Sequence, residues 1–338
     1  MKRKLIILYG GRSAEREVSV MSAKNIINAA RENFELSVYF ISQKGDFYFV
    51  KDSSNLMTNQ SLEDEAKVLA SEIYEEKAIV FPVLHGPMGE DGSIQGFLEI
   101  LKMPYIGPNI LSASVTMDKI LAKLVFESIA IPQVPYIAAF AHEDKEKIAE
   151  KVIEKLKFPV FVKPANMGSS VGISRVKVVA ELNTALDKAF KYDRRLVIEE
   201  GITDLREIEC GMLGDEVSLV GEVIQEAEFY DYNSKYIAAQ TVNQVPADLS
   251  KEQLEKIQNY AKQAYTAVNG TGLSRCDFFI NKKDGEIYLN EINSIPGATA
   301  YSMYPSLWEA SGVKYADVVQ RLADLAQEAF ELRESHLL

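Results

Sequence analysis

Apolar residues in the first third of the chain come in short unbroken runs instead of strict alternation. Leu5-Ile6-Ile7-Leu8-Tyr9 and Ala78 to Leu84 are two such runs, the pattern of parallel strands covered on both faces. Between them, Ile26, Ile27 and Ala30 mark one face of a helix from Ser22 to Arg31, and Leu36 to Ile41 forms another strand. Residues 44–75 are mixed and predict little. Strand, helix and strand in succession predict a doubly wound α/β unit over residues 1–115.

Further along the pattern changes to short strands of mixed character. A helix over Ile120 to Glu127 precedes strands near Val134, at Val160–Val162 and at Leu196–Ile198. Strands at Glu207–Met212, Arg275–Ile280 and Ile287–Asn290 follow. A helix lies between them, with Ser250 and Gln253 as a capping box, Leu254, Ile257, Ala261, Ala264 and Val268 on one face, and Gly270 as its stop. Val318, Leu322, Leu325 and Ala329 stripe a last helix. The organisation expected is three units, 1–115, 116–205 and 206–338, of α/β (α+β) class.

Composition narrows the partners. With 338 residues, 47% apolar and 25% charged, the chain suits an ordinary globular protein of two or three domains. No window of roughly 18 apolar residues exists to cross a membrane. Basic residues before Leu5 resemble a leader, but the apolar run is too short for one and reads as a first strand. A net charge of −12 without basic clusters argues against nucleic acid. Cys210 and Cys276 form no CxxC pair and suit buried apolar positions. A cytoplasmic protein acting on small molecules is expected.

Several segments could carry chemistry. In Arg275-Cys-Asp277 and Glu291-Ile-Asn293, residues two apart share a strand face. Asp277, Glu291 and Asn293 thus offer hard oxygen donors beside Arg275, a set suited to Mg²⁺, although solvated strand faces would carry the same residues. Lys163 ends an apolar strand before a Gly168-Ser169-Ser170-Val-Gly172 turn. Such a turn can wrap phosphate with N–H groups and hydroxyls, or be a plain hairpin. Glu199-Glu200-Gly201-Ile202 closes a strand whose end could meet an adenine edge, with Glu207 for a ribose; an acidic turn is the alternative. No GxxxxGK[ST] occurs. After Gly10-Gly11, Glu15 and Glu17 would repel a pyrophosphate but welcome an ammonium. His85 stands in a glycine-rich loop at a strand's C-terminal end.

Taken in order, these segments resemble the D-alanine–D-alanine ligases of the ATP-grasp class. The matching pieces are GGRSAEREVS (10–19), HGPMGEDGSIQG (85–96), MDK (117–119), KPANMGSSVGIS (163–174), REIECGMLG (206–214), FYDYNSKY (229–236), LSRCDFF (273–279) and LNEINSIPG (289–297). The resemblance implies an ATP-grasp fold behind an N-terminal doubly wound domain, with ATP held between two antiparallel sheets. It implies that Lys119 and Lys163, with Ser170 of the glycine-rich turn, meet ATP phosphates. Glu199, Glu200 and Ile202 would lie along the adenine and Glu207 at the ribose. Lys235 would reach the γ-phosphate when a lid over 229–241 closes. Asp277, Glu291 and Asn293 match the ligands of two Mg²⁺ ions, with Mn²⁺ an alternative. Glu15 matches a carboxylate that holds the first D-alanine's ammonium and bonds with Ser169 and Tyr236. Arg275 and the Gly297 N–H match an oxyanion pair, Ser302 and Met303 the second D-alanine's pocket, and His85 a histidine near the first substrate. Where some members carry an acid beside the glycine loop, this chain has Met167.

The resemblance further implies ligation through an acyl phosphate for peptidoglycan precursor synthesis, by a homodimer. A D-alanine–D-lactate ligase or another ATP-grasp carboxylate–amine ligase is the nearest rival within enzymes, and a nucleotide sensor that has lost catalysis the rival outside them.

Overall fold

The computed structural model describes residues 2–54, 56, 58, 66–225 and 241–336. Its first sheet places β1 (Arg3–Gly10) between parallel neighbours β2 (Phe34–Ile41) and β5 (Ile79–Val83), with β3 (Phe47–Phe49) and β4 (Lys67–Val68) added antiparallel at the β2 edge. The parallel centre matches the continuous apolar runs; the small β3–β4 edge lies in the stretch whose composition predicted nothing.

Helices cover both faces. Leu5, Ile7 and Tyr9 pack against α1 (Arg16–Ala30), while Ile6 and Leu8 share a core with Ile94 and Leu98 of α2 (Ser93–Ile100). Helix α1 begins six residues before the expected Ser22. Its first turns bury Ser19 and Ser22, and these polar residues interrupt the apolar stripe. Each serine is satisfied: Ser19 accepts from Gly10 N–H at 2.7 Å and donates to the Val83 carbonyl, and Ser22 meets His85.

The middle of the chain comprises α3 (Ile110–Met117), α4 (Lys119–Ser128), β6 (Tyr136–Phe140), α5 (Lys145–Lys155), β7 (Val160–Pro164), β8 (Ser174–Val176), α6 (Leu182–Ala189) and β9 (Arg195–Glu200). Its sheet runs β6-β9-β7-β8, antiparallel throughout. Val134 lies before the strand expected there. Val160, Val162, Leu196 and Ile198 face α5 and α6 in one core; Val197 faces the other way, toward Ile120 of α4.

A third sheet orders β10 (Leu205–Leu213), β11 (Glu216–Gln225), β12 (Thr241–Gln244), β13 (Leu273–Asn281) and β14 (Ile287–Asn293) as β12-β11-β10-β13-β14. Helix α7 (Lys251–Ala267) covers it through Ile257, Ala261 and Ala264, and its Ser250–Gln253 capping box is present. Asn269, and not Gly270, takes the left-handed conformation after the helix, at φ 55°. Gly270 is needed because a side chain there would overlap the Tyr265 ring. Cys210 and Cys276 are buried opposite one another on β10 and β13. Finally α8 (Met303–Ala310) and α9 (Tyr315–His336) return to the first sheet, where Val318, Leu322 and Ala326 join the core of Leu5 and Ile7. Ala329 is exposed; the buried stripe passes through Ala326 instead.

Candidate active site

The three sheets converge on a cavity of about 540 Å³. Residues from β7, β9, β10, β13 and β14 line it, together with the loops after β1, β5 and β14.

One wall is built by β13 and β14. Asp277 and Glu291 are register partners, as are Arg275 and Asn293. In simple alternation Glu291 and Asn293 would share the face of Ile287 and Leu289, which is the buried core. A bulge prevents this: Asp277 pairs with Glu291 but Phe278 pairs with Leu289, so Asn290 is the extra residue. The bulge reverses the facing of the strand, turning Ile292 into the core and Glu291 and Asn293 toward the cavity. Arg275 is buried and makes a two-pronged contact with Asp277, Nε and Nη2 each donating at 2.7 Å. Its Nε also lies 2.8 Å from Glu209 Oε2. Asn293 Nδ2 donates to Asp277 at 2.8 Å. The guanidinium is therefore fixed in orientation by two carboxylates, one of which belongs to the oxygen-donor set.

Lysines stand next to this wall. Lys119 Nζ donates to the Met167 carbonyl at 2.7 Å and stands 3.9 Å from Glu291 Oε2. Lys163 is ion-paired with Glu199, which also binds Lys123 at 2.7 Å. Burial alone would raise the Glu199 carboxyl, but the two ammoniums override it and hold the pKa at about 2. Burial likewise works against the Lys163 charge, and Glu199 overcomes it, leaving that ammonium above its ordinary value.

The segment after β9 offers less backbone than its sequence suggests. Glu200 N–H already donates to the Pro135 carbonyl and Gly201 N–H to that of Pro159. The Glu200 carboxylate accepts from Lys157 N–H at 2.8 Å. Ile202 and Glu207 line the cavity.

Glu15 closes a third side. It sits at the start of α1, buried, and accepts the Ser169 hydroxyl proton. Ser169 and Ser170 both hold left-handed backbone, at φ 49° and 59°, a strained arrangement for serine that curls the loop toward Glu15. A side chain on Gly168 would come within 2.8 Å of Glu15 Oε2, and one on Gly86 would overlap it. The absence of side chains at both positions leaves room for the Glu15 carboxylate between two loops. His85 is buried, with Nε2 3.0 Å from Ser22 Oγ and Nδ1 3.1 Å from the Ile295 carbonyl. It ties α1, its own loop and the 295–298 loop together. Ala298 N–H donates to Ser22 at 3.1 Å, and Gly297 lines the cavity beside them.

Of the residues singled out by sequence, Glu15, His85, Lys119, Lys163, Ser169, Ser170, Glu199, Glu200, Ile202, Glu207, Arg275, Asp277, Glu291, Asn293 and Gly297 come together around this cavity. Ser302 and Met303 are not part of its lining. Ser302 flanks α8 and bonds to Thr299, while Met303 packs against Val223 and Leu307. Lys235 and Tyr236, with all but the last residue of the expected lid, lie outside the described residues. Lys123, Glu90 and Glu209 were missed. Glu90 lies 3.5 Å from His85 Nδ1 and lines the cavity; burial raises its carboxyl, against the effect of His85. Lys123 follows Lys119 by four residues on an otherwise apolar helix face, and that spacing was the available signal.

The donor set of Asp277, Glu291 and Asn293 suits a hard divalent cation. Among the described residues, no three His, Cys, Asp or Glu side chains gather into a metal cluster of their own. The set would be completed by oxygens from a bound substrate.

Comparison with known proteins agrees with the geometry. Residues 4–108 match the family model described as D-ala D-ala ligase N-terminus, and residues 125–324 that described as D-ala D-ala ligase C-terminus. A D-alanine–D-alanine ligase of Lactococcus lactis subsp. cremoris is 57% identical over 349 residues, covering 100% of this chain and 99% of the relative. One from Streptococcus thermophilus is 52% identical over 348 residues, with the same coverage of 100% and 99%. Among solved structures, the D-alanine–D-alanine ligase from Coxiella burnetii superposes with a TM-score of 0.88 at 32% identity, covering 99% of this chain and 97% of that one. The VanG D-Ala:D-Ser ligase from Enterococcus faecalis gives 0.86 at 31%, covering 96% and 100%.

Proposed function

The chain belongs to the D-alanine–D-alanine ligase family, and on that premise we propose how its residues divide the work of ligation. It is an ATP-dependent ligase with the ATP-grasp fold, joining two D-alanines for peptidoglycan precursor synthesis. The observation that carries the division of labour is the cavity itself, which brings Lys119 and Lys163 together with Arg275, Asp277 and Glu291 around one space.

ATP lies with its phosphates toward Lys119, Lys163 and the 168–172 loop, its adenine along Glu199 to Ile202 and its ribose at Glu207. The D-alanine ammonium is held by Glu15. Two anions must meet when the γ-phosphoryl group passes to the D-alanine carboxylate, so fixed positive charge is the main demand. Lys119 and Lys163 meet it. Asp277, Glu291 and Asn293 would hold two Mg²⁺ ions, with Mn²⁺ an alternative; when bound they would supply charge neutralisation at the phosphates. The acyl phosphate is then attacked by the amine of the second D-alanine. The developing oxyanion accepts from Arg275, oriented by Asp277 and Glu209, and from the Gly297 N–H; phosphate leaves. Ser302 and Met303 contribute to the second substrate's side through α8. Lys235 and Tyr236 act from the lid, which excludes water from the acyl phosphate.

We assign 1–115 to a doubly wound unit, 116–205 to the central ATP-grasp part and 206–338 to the C-terminal part, whose last helix is lent to the first. A cytoplasmic homodimer completes the proposal, on family membership alone. Among the described residues, no helix is long and apolar enough to cross a membrane. The test is ADP release coupled to dipeptide formation, with Glu15→Gln and Arg275→Met as variants that should lose both.

A further inference from the structure

Lys163 poses an electrostatic problem. It is expected to attract phosphate, yet its ammonium is paired with Glu199, a carboxylate that is only 3% exposed. A closely paired carboxylate cancels most of the field that a lysine presents at a distance. The reason lies one layer deeper. Lys123, on α4 and 2% exposed, binds the other oxygen of Glu199 at 2.7 Å.

The placement follows from the fold. Lys163 and Phe161 on β7, Glu199 and Val197 on β9, and Tyr136 on β6 share one sheet face, since Phe161 and Tyr136 flank Glu199 in register. Lys123 Nζ lies 5.1 Å from the centre of the Tyr136 ring and Lys163 Nζ 6.0 Å from that of Phe161. Each ammonium thus rests on an aromatic face while sharing the one carboxylate. A cavity of about 10 Å³, room for about one water, separates this group from Lys119 and Glu291. A buried lysine without a partner would shed its proton; here Glu199 supplies the partner.

We propose that Lys123 is a positioning and charge-balancing residue for nucleotide binding: it takes up the charge of Glu199, so that the group as a whole presents one net positive charge through Lys163 toward the phosphates. Glu207 and Glu291 bear on Lys163 at longer range and do not alter this local count. Lys123 itself never touches the nucleotide. The inference rests on the reading of Lys163 as a phosphate contact.

The test compares affinities of ADP and adenosine, measured by calorimetry on the full chain without divalent cation. Lys123→Met reduces the local charge from plus one to zero, so ADP should weaken about tenfold, the effect of one charge at intermediate distance and dielectric, with adenosine unchanged. Lys123→Met combined with Glu199→Gln restores plus one once the ADP phosphate stands beside Lys163 in place of Glu199, and should recover the ADP-to-adenosine ratio. A role confined to structure would weaken both ligands together and leave the ratio constant; that result, or failure of the double variant to recover it, overturns the proposal. Should the single variant not fold, Lys123→Gln makes the same change of charge and is compared with wild type in its place. An unchanged ratio in that variant would overturn the inference. Wild type that binds adenosine and ADP equally would instead overturn the reading of Lys163.

Discussion

The Ser169 hydroxyl donates to the Glu15 carboxylate across 154 positions of sequence, joining the glycine-rich loop after β7 to the first turn of α1. The bond is partly buried, and Gly86 and Gly168 lie close against the carboxylate. The two residues should therefore act as one unit. Ser169→Ala and Glu15→Gln are each expected to lower kcat at least ~10-fold, with a coupling of roughly 1–3 kcal/mol between them. A double-mutant cycle in steady-state kinetics measures this. Purely additive losses would show that the contact has no functional part.

Arg275 should be intolerant even of lysine. Its fork is matched to Asp277 through two hydrogen bonds of 2.7 Å, and an ammonium cannot reproduce a planar two-pronged contact. Arg275→Lys is expected to reduce kcat by ~10²-fold, the scale of losing one oxyanion donor, with little change in the KM for ATP. A kcat within about twofold of wild type would remove Arg275 from the chemical step.

Glu291 faces the cavity only because of the bulge at Asn290. Glu291→Gln keeps the shape and removes the charge, so turnover should fall by at least ~10²-fold and the Mg²⁺ concentration needed for half-maximal activity should rise. A magnesium titration of both forms decides. An unchanged magnesium requirement would argue against Glu291 as a ligand.

Stability in acid should depend on Glu199. Its folded pKa of about 2 lies below the ordinary 4.5. The stability it contributes is therefore complete above about pH 4.5 and is lost as pH falls toward 2. The difference amounts to roughly 3 kcal/mol at most. Urea unfolding of wild type and the Lys123→Met, Glu199→Gln double variant should show a stability gap that narrows between about pH 5 and about pH 3. A gap independent of pH would mean that the lysines do not govern this carboxylate.

The parallel centre of the first sheet was legible because its apolar runs are uninterrupted, and most strands of the other two were legible from shorter, mixed segments. Helix α1 was only half legible: Ser19 and Ser22 are buried through hydrogen bonds to distant residues, and a hydropathy pattern records neither partner. Alternation correctly put Glu291 beside Asn293 but could not say which way they face: without the bulge at Asn290 both would point into the core with Leu289. Lys123 was hidden because burial of a lysine depends on Glu199, on a strand 76 positions away in sequence. Glycines 86 and 168 were visible as loop residues, but their closeness to Glu15 is a property of the folded chain alone. The segment carrying Lys235 and Tyr236 lies outside the described residues, and its part in the site rests on the motif.

The central claim is tested most directly by product analysis with ATP, Mg²⁺ and D-alanine, in the presence of equal D-lactate and D-serine, across the neutral pH range. An amine acceptor is expected from membership of the D-alanine–D-alanine ligase family, and the proposal gives Tyr236 a part in selecting it. Wild type should form D-alanyl-D-alanine, with one ADP released per dipeptide, and little ester or mixed dipeptide. Tyr236→Phe should lose dipeptide synthesis and gain some ester, most visibly at the acidic end, where the amine is protonated. ADP release without dipeptide, or an ester as the main product of wild type, would contradict the account.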